Sequence, residues 1–385
     1  MVEPARMKVA HVTPSYHPAF AYGGPPESAH QLSRHLAREG TEVRVLTTDA
    51  NGVKLTVDVD TTRELELEPH LRVRYCPRRL PESVAPSLLA ALPGYVAWCD
   101  VVHLNAVYNF TTLPTLLAAS LAGKPVVWSA RGALSRWKET RRAAPKAAWE
   151  AICRALAPAR TVLHVTSESE QQQAVARMPG LRTALIPNGV ELPAEAPRPA
   201  PSETLRLLYL GRLHPIKGLE NLIAACAELA RRGERRFTLT LAGGGEPAYV
   251  EALQRAVAVA ALADRITLLG EVPPAQKGRL FAAADLLVAP SFTENFGLAI
   301  AEALAHGVPV IAGRGTPWRG LDEHDAGLWV PNDAPSLAAA ITALRARPLA
   351  AMGARGRAWM ERDFGWGRVA SDMRALYDRL VAERG

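Results

Sequence analysis

The stretch SFTENFGLAIAEALAHG, residues 291–307, decides how the rest of this chain is interpreted. The preceding run, residues 284–290, is apolar except for Asp285 and too short for a helix, so it predicts a buried parallel strand. After Gly297 the apolar residues recur at helical spacing, and a Gly-x-Pro sequence marks the end of the helix. The segment therefore predicts a strand, a loop that carries Glu294, and a helix that carries Glu302 in its second turn.

The start of that predicted helix suits a phosphate group. The N–H groups of its first turn, expected at Phe296, Gly297 and Leu298, have no intrahelical partner and lie at the positive end of the helix dipole. Glu302 is placed to accept hydroxyl protons from a vicinal diol such as ribose, and Glu294 to accept them from a sugar ring. A diphosphate between two diols is the shape of a nucleotide sugar. The alternative from this segment alone is a charged helix end with a solvated face.

Further motifs connect this segment to a known family. The spacing E-x7-E, together with GRLHPIKG at residues 211–218, resembles glycosyltransferase family 4. These are retaining enzymes of the GT-B fold that transfer a sugar from a nucleotide diphosphate to an acceptor. Other matching segments, in chain order, are Gly23-Gly24, PNGV at 187–190, GGG at 243–245 and GTPW at 315–318.

The resemblance implies an α/β fold of the GT-B type. We expect two doubly wound Rossmann-like domains that face a central cleft, with the C-terminal helix crossing back to the first domain. Residues 1–192, joined by 366–385, are predicted to bind the acceptor, and residues 205–365 to bind the nucleotide sugar. Residues 193–204 are rich in Pro and Ala, which is typical of a semi-rigid linker.

Arg212 and Lys217 are expected to converge at a helix entrance, where a diphosphate would meet two cations and free N–H groups. Trp318 fits either stacking on a base or packing in the core. The predicted catalytic residues are Arg212, Lys217, Glu294 and Arg131. The predicted donor-binding residues are Gly23, Gly24, Gly211, Gly244, Asn295, Phe296, Gly297, Leu298, Glu302 and Thr316.

In the first domain, a predicted strand at 101–104 brings His103 and Asn105 to its carboxyl end, where open α/β sheets bind ligands. Together with Tyr108, these two are the predicted acceptor-binding residues, although His103 also fits a buried core position. Many family members carry a second histidine where this chain has Asn105. The paired glycines Gly23 and Gly24 let the backbone approach a phosphate or a sugar closely.

The predicted strand at 125–129 leads to Arg131. Many family members have at this place a histidine that contacts the donor sugar, whereas this chain resembles a subgroup with Pro-Arg-Gly, associated with cell-surface polysaccharide assembly. Arginine cannot act as a general base at ordinary pH. It can stabilise negative charge on a leaving phosphate or orient an acceptor.

The composition of the chain limits the classes of molecule that it is expected to bind. The net charge of +7 favours anions, yet no nucleic-acid recognition pattern is present. Residues 131–160 combine basic residues with tryptophans, which fits either peripheral contact with an anionic membrane or a solvated helix with buried tryptophans. Four scattered cysteines indicate a reducing compartment, and neither a secretory signal nor a membrane span is predicted. We expect a cytoplasmic protein, in contact at most with the inner face of the plasma membrane.

The resemblance implies that no metal and no cofactor are bound, and the D-x-D match at Asp58 and Asp60 is read as chance. The function implied by the resemblance is transfer of a hexose-type sugar, from a UDP- or GDP-linked donor to a glycan or lipid-linked acceptor, with retention. The setting would be bacterial polysaccharide, lipopolysaccharide or glycoconjugate biosynthesis. The alternatives are a non-catalytic nucleotide-sugar-binding protein, a GT-B sugar-nucleotide epimerase and a phosphorylase.

Overall fold

A computed structural model describes residues 6–52, 54–79, 84–135, 143–194 and 202–383. The chain divides into two compact units. Unit 1 comprises residues 1–189 and 366–385, and unit 2 comprises residues 190–365. Most of the linker predicted at 193–204 lies outside the described residues.

Unit 1 is built on a largely parallel sheet. Its strands are β1 Lys8–Val12, β2 Glu42–Thr48, β3 Ala50–Asn51, β4 Leu55–Thr56, β5 Glu64–Glu68, β6 Leu71–Cys76, β7 Val101–Asn105, β8 Val126–Ser129, β9 Thr161–Val165 and β10 Arg182–Leu185. Its first helices are α1 Gly24–Arg38, α2 Pro86–Trp98, α3 Thr112–Leu121, α4 Ala143–Leu156 and α5 Glu168–Arg177. The order across the main sheet is β10-β9-β8-β7-β1-β2-β6-β5, and only the β5–β6 pair within it is antiparallel.

Unit 2 repeats the alternation of strand and helix. Its strands are β11 Leu205–Leu210, β12 Phe237–Ala242, β13 Ile266–Gly270, β14 Leu286–Ala289, β15 Val310–Gly313 and β16 Gly327–Val330. Its helices are α6 Leu219–Arg231, α7 Pro247–Val259, α8 Pro274–Ala283, α9 Leu298–Ala305, α10 Gly320–Glu323, α11 Ala334–Arg345 and α12 Leu349–Phe364. All strands of this sheet run parallel, in the order β13-β12-β11-β14-β15-β16.

The last helix, α13 Trp366–Ala382, belongs to unit 1. It packs beside α1 on one face of the first sheet, and its residues Val369, Met373 and Leu376 join the core under that face. Helices α2 to α5 contribute to the core on the opposite face. The predictions of two Rossmann-like domains and of a C-terminal helix that returns to the first domain are therefore confirmed.

Each sheet has a point where the strand order reverses, between β1 and β7 in unit 1 and between β11 and β14 in unit 2. In doubly wound sheets, the crevice beyond the carboxyl ends of such strands is where ligands bind. Ligand binding is therefore expected at the loops that follow β1, β7, β11 and β14. No helix in the described part of the chain is both long enough and apolar enough to cross a bilayer.

Candidate active site

Three loops meet at the reversal point of unit 2, namely residues 211–218 after β11, 290–297 after β14 and 314–318 after β15. The first two are joined by Phe292 N, which donates to Ile216 O at 2.9 Å, and the last two by Glu294 N, which donates to Gly315 O at 3.0 Å. A Cβ atom on Gly315 would lie 2.0 Å from the Phe292 carbonyl oxygen. Glycine is therefore required for the third loop to pack against the second.

Lys217 and Glu294 form an ion pair at this junction. Ser291 Oγ donates to the same carboxylate oxygen, Oε1, at 2.9 Å, and both charged side chains are 18% exposed. Among the described residues, no donor reaches the second oxygen, Oε2. This loop carboxylate therefore has a cation on one oxygen and room for a hydroxyl on the other.

The helix after this loop begins two residues later than the first predicted amide, Phe296, suggested. Gly297 is its N-cap in the left-handed conformation, with φ 84°, and α9 starts at Leu298. The free first-turn amides are consequently those of Leu298 and Ala299, whereas Ile300 N already donates to Gly297 O at 2.9 Å. The helix start keeps two outward N–H groups and the positive end of its dipole.

Phe296 and Trp318 lie in the core of unit 2. The Phe296 ring is 5% exposed, and the Trp318 indole is 2% exposed, 5.3 Å from it between ring centroids. Trp318 Nε1 donates to the Phe296 carbonyl. The structure thus selects packing for Trp318, the alternative that the sequence left open, and gives the Phe296 side chain a structural role.

Glu302 is paired with a lysine that sequence reasoning missed. Lys277 Nζ, on α8, lies 3.0 Å and 3.3 Å from the two Glu302 carboxylate oxygens. The two side chains are 39% and 26% exposed, so the pair remains open to solvent. Lys277 lies 25 residues earlier in a helix without a motif, and only the packing of the two helices brings it here.

The other residues predicted to bind the nucleotide sugar occupy different environments. Arg212 is exposed, and no carboxylate among the described residues pairs with its guanidinium. Asn295 is half-buried in the loop before α9. Thr316 is 3% exposed, and its hydroxyl donates to Gly313 O at 2.8 Å, so that proton is already used.

The loop at residues 211–218 and the loop at residues 243–245 pack directly on each other. A Cβ on Gly243 would lie 1.9 Å from Gly211 O, and one on Gly245 would lie 2.5 Å from Leu213 O. Gly244 is less confined, since its Cβ would meet only Glu271, at 3.8 Å or more. The outer glycines therefore serve loop packing, and Gly244 is the one with space beside it.

Asn332 is a second residue that sequence reasoning missed. Its amide nitrogen donates to Pro290 O, and its own backbone oxygen accepts from Asn221 Nδ2 at 2.7 Å. It thereby fastens the loop after β14 to the first turn of α6. Asn332 follows β16, a strand that the sequence analysis did not predict.

In unit 1, the predicted acceptor residue His103 is fully buried within a chain of hydrogen bonds. His164 Nε2 lies 2.8 Å from the Ile186 carbonyl oxygen and must donate to it, so His164 Nδ1 accepts from Ser129 Oγ at 2.6 Å. His103 Nε2 then donates to Ser129 Oγ at 2.7 Å, and His103 Nδ1 accepts from Tyr377 at 2.5 Å. Both nitrogens of His103 are thus occupied, which favours the core position that the sequence analysis also allowed.

A second chain of hydrogen bonds fixes the orientation of Asn105. Ser33 Oγ donates to Ala29 O at 2.8 Å, and His11 Nδ1 donates to Ser33 Oγ at 2.9 Å. His11 Nε2 therefore accepts from Asn105 Nδ2, which leaves Asn105 Oδ1 to accept from Arg131 Nε at 3.3 Å. The Ala29 carbonyl can only accept a hydrogen bond, and this determines which atom donates in each hydrogen bond from Ser33 to Arg131.

Burial keeps these histidines neutral. Desolvation, reinforced by the nearby Arg131 charge, lowers the pKa of His11 to about 3 and that of His164 to about 3. Burial and the neighbouring His11 lower the pKa of His103 well below its ordinary value. The chains are therefore networks of uncharged rings at neutral pH.

The remaining predicted residues of unit 1 lie around these networks. Gly23, with φ 73°, caps α1, and Gly24 is the first residue of that helix. Tyr108 donates its hydroxyl proton to Glu150, and Lys146 Nζ lies 4.8 Å from the centre of its ring. In the D-x-D segment, Asp60 accepts from Thr62 N at 2.8 Å in a local turn.

Comparison with known proteins identifies the family. Residues 22–193 match the model described as Glycosyltransferase Family 4, and residues 204–347 match the model described as Glycosyl transferases group 1. The chain belongs to the family 4 glycosyltransferases.

Two relatives of this glycosyltransferase are both named D-inositol 3-phosphate glycosyltransferase. The one from Xylanimonas cellulosilytica is 28% identical, over 92% of this chain and 91% of the relative. The one from Kineococcus radiotolerans is 33% identical, over 53% of this chain and 53% of the relative, so that match spans about half of the relative's length.

Solved structures resemble the whole glycosyltransferase. Sucrose-phosphate synthase from Thermosynechococcus elongatus has a TM-score of 0.78 at 25% identity, covering 98% of this chain and 100% of that one. Anabaena HepE in complex with UDP and glucose has a TM-score of 0.72 at 20% identity, covering 97% and 100%. WaaG, a glycosyltransferase involved in lipopolysaccharide biosynthesis, has a TM-score of 0.68 at 17% identity, covering 97% and 100%. These likenesses agree with the GT-B assignment.

Proposed function

We propose that this glycosyltransferase transfers a hexose from a UDP- or GDP-linked donor, held by unit 2, to a hydroxyl of a glycan or lipid-linked acceptor, held by unit 1. The transfer proceeds with retention and without a bound metal. The observation that carries the proposal is the Lys217–Glu294 pair beside the free first-turn amides of α9. A cation, outward N–H groups and a carboxylate with one open oxygen are what a diphosphate next to a sugar ring requires.

Each part of this site has a role in the proposal. Lys217 and the exposed Arg212 bind the diphosphate, and the amides of Leu298 and Ala299 bind the phosphate nearest to the helix. Glu294 accepts a hydroxyl proton of the sugar ring through its open oxygen. Glu302, released in part from Lys277, accepts the ribose hydroxyls. The likeness to HepE, whose structure contains UDP and glucose, makes a UDP-sugar the first donor to test.

The reaction then needs no protein base. The acceptor oxygen bonds to the anomeric carbon on the face that the diphosphate leaves, the bond from that carbon to the diphosphate oxygen breaks, and the acceptor proton passes to that oxygen. Lys217 and Arg212 stabilise the charge that develops on the leaving group. Arg131 stays protonated throughout, because its pKa, lowered by burial to about 10, remains above neutral.

Titration of the full chain with UDP and with GDP tests the donor site. Because a charge-assisted contact contributes about 1.5–3 kcal/mol, Lys217→Ala should weaken binding of the preferred nucleotide by about 10- to 100-fold. Arg232→Ala is the matched control, since it removes a cation from an exposed ion pair at the far end of α6. Equal binding by wild type and Lys217→Ala would refute the placement of the diphosphate.

Two other functions would give different products. A non-catalytic binding protein would bind the nucleotide sugar but release no nucleoside diphosphate with any acceptor. An epimerase would convert the nucleotide sugar without acceptor. Release of nucleoside diphosphate that depends on acceptor, together with the anomeric configuration of the product by NMR, distinguishes transfer with retention from both.

We also propose that residues 131–160 contact an anionic membrane at the inner face of the plasma membrane, which would suit a lipid-linked acceptor in polysaccharide or lipopolysaccharide assembly. Part of this segment, residues 136–142, lies outside the described residues. The proposal is supported by α4, which carries Lys146 and Arg154 and exposes Ile152. Sedimentation with anionic liposomes checks it, and equal sedimentation with neutral liposomes would contradict it.

A further inference from the structure

Unit 1 has a cavity of about 160 Å³ at its reversal point, beyond the carboxyl ends of β1, β7 and β8. Of the described residues that line it, most are small apolar residues and prolines, and the one charged residue is Arg131. The lining residues are Thr13, Pro14, Ser15, Pro25, Pro26, Asn105, Ala106, Ala130, Arg131 and Ala133. Ligand pockets for whole drug-sized molecules measure about 300–1,000 Å³, so this cavity suits one substituent of a ligand.

The Arg131 guanidinium is held by neutral groups. Its Nε donates to Asn105 Oδ1 at 3.3 Å, and its Nη1 donates to Asn188 Oδ1. Among the described residues, no carboxylate lies within ion-pair distance of it. The two amide oxygens therefore orient the Arg131 guanidinium but do not neutralise its charge.

Glu170 is the carboxylate whose charge acts on Arg131, and both of its oxygens already accept hydrogen bonds. Glu170 Oε1 accepts from Gly132 N at 2.7 Å, and Oε2 accepts from Thr166 N at 2.7 Å and from Thr166 Oγ1 at 2.9 Å. Glu170 also lies in the first turn of α5, where the helix dipole stabilises negative charge. The Glu170 carboxylate is thus held by neutral donors and attracts Arg131 only at a distance, without an ion pair, so the guanidinium can still bind an anion in the cavity.

The other walls offer little that competes for a ligand. Helix α1 starts with Gly24, Pro25 and Pro26, so two positions of its first turn present proline rings and have no N–H group. Thr13 Oγ1 donates to Ser15 O at 2.9 Å and so uses its proton locally. Among the described lining residues, the polar groups that remain for a ligand are therefore the Arg131 guanidinium, with the Asn105 amide beside it, and the Ser15 hydroxyl.

We propose that this cavity binds an anionic substituent, a phosphate or a carboxylate, of the acceptor. This inference rests on the proposed function, since it places the acceptor on unit 1. The planar guanidinium can donate two parallel hydrogen bonds to either anion, and the apolar walls exclude water from them. The hydrogen-bond chain that starts at the Ala29 carbonyl fixes the Asn105 oxygen towards Arg131, so the cation is positioned before the ligand arrives.

Binding to the full chain tests the inference with three probes, glucose 6-phosphate, glucuronate and neutral glucose. At least one anionic probe should bind more tightly than glucose, and Arg131→Met should weaken that binding by ten-fold or more. Lys217→Ala is the matched variant, because it should weaken UDP binding and leave the anionic probe unaffected. Failure of UDP to bind the wild type would count against the donor site alone, whereas equal binding of all three probes would overturn the inference.

An anionic sugar can also reach this cavity as part of the nucleotide-sugar donor. The Arg131→Met variant distinguishes an anionic donor from an anionic acceptor. If Arg131→Met weakens UDP-glucuronate but not free glucuronate, the anion belongs to the donor and the inference is overturned.

A measurement on the wild-type chain avoids any folding defect of the variant. Phenylglyoxal modifies accessible guanidinium groups, and mass spectrometry of the peptide that contains Arg131 reports the rate. Glucose 6-phosphate or glucuronate should slow this modification, and glucose should not. An unchanged rate with every anionic probe would overturn the inference.

Discussion

Lowering the pH from 7.0 to 5.5 should destabilise unit 1 by several kcal/mol through its buried histidines. His11, His103 and His164 are almost inaccessible, and His30, which is 8% exposed, is buried in the same unit. Burial lowers the pKa of His11 and His164 to about 3 and that of His30 to about 4, and it lowers that of His103 well below its ordinary value. The folded unit therefore does not take up these protons at pH 5.5.

The unfolded chain does take them up. With an unfolded pKa of 6.5, a histidine gains most of one proton between pH 7.0 and 5.5, and since only the unfolded state gains it, folding stability falls as the pH falls. Over this interval the loss is about 1.2 kcal/mol for each histidine, or about 5 kcal/mol for the four. Because a typical domain is stable by only about 5–15 kcal/mol, this loss is large. The contribution is fully present above pH 7 and decreases towards each folded-state pKa.

Hydrogen exchange measured by mass spectrometry can follow unit 1 separately, through peptides from β1, β7 and β9. After correction for the intrinsic pH dependence of exchange, the opening free energy of these strands should fall by the amount given above. His30→Gln provides the control, since it should make the loss smaller by about 1.2 kcal/mol, the share of one histidine. An opening free energy that is the same at pH 7.0 and 5.5 would refute the reasoning, because the histidines would then be charged in the folded unit.

Two further predictions concern the support of helix α9. Gly353→Ala should destabilise unit 2 by about 1–3 kcal/mol, since the added Cβ would lie 1.8 Å from the Gly307 carbonyl oxygen at the end of α9. Gly278→Ala, whose Cβ would make only an ordinary contact at 3.6 Å, should be neutral or stabilise by up to about 1 kcal/mol; calorimetry compares the two, and equal melting temperatures would contradict the packing argument. Trp318→Phe should cost about 1–3 kcal/mol, because it leaves the buried Phe296 carbonyl without its donor, and urea unfolding checks this. An unchanged midpoint would mean that another group replaces the indole N–H.

Local signals in the sequence predicted the alternation of strands and helices, and the resemblance to family 4 implied the two-domain fold. Apolar runs, helical spacing and Gly or Pro stops depend on residues close in the chain, which is why the element that carries Glu302 was recognised without coordinates. The order of the motifs placed Lys217 and Glu294 in neighbouring loops, and the structure joins them in an ion pair. The strands β5, β6 and β16 were missed, although the sequence ELELE of β5 alternates polar and apolar residues as a half-buried strand does; β16 has four residues.

The sequence by itself determined the two Rossmann-like sheets, the family and the loops that follow the central strands. Only the tertiary structure decided the partners of individual side chains. Lys277 reaches Glu302 because α8 packs near α9, and His103 meets Tyr377 across 274 residues of chain because the last helix returns to unit 1. The physical reason is that a periodic pattern fixes which face of an element is buried, whereas hydrogen bonds and ion pairs depend on which elements then meet across that face.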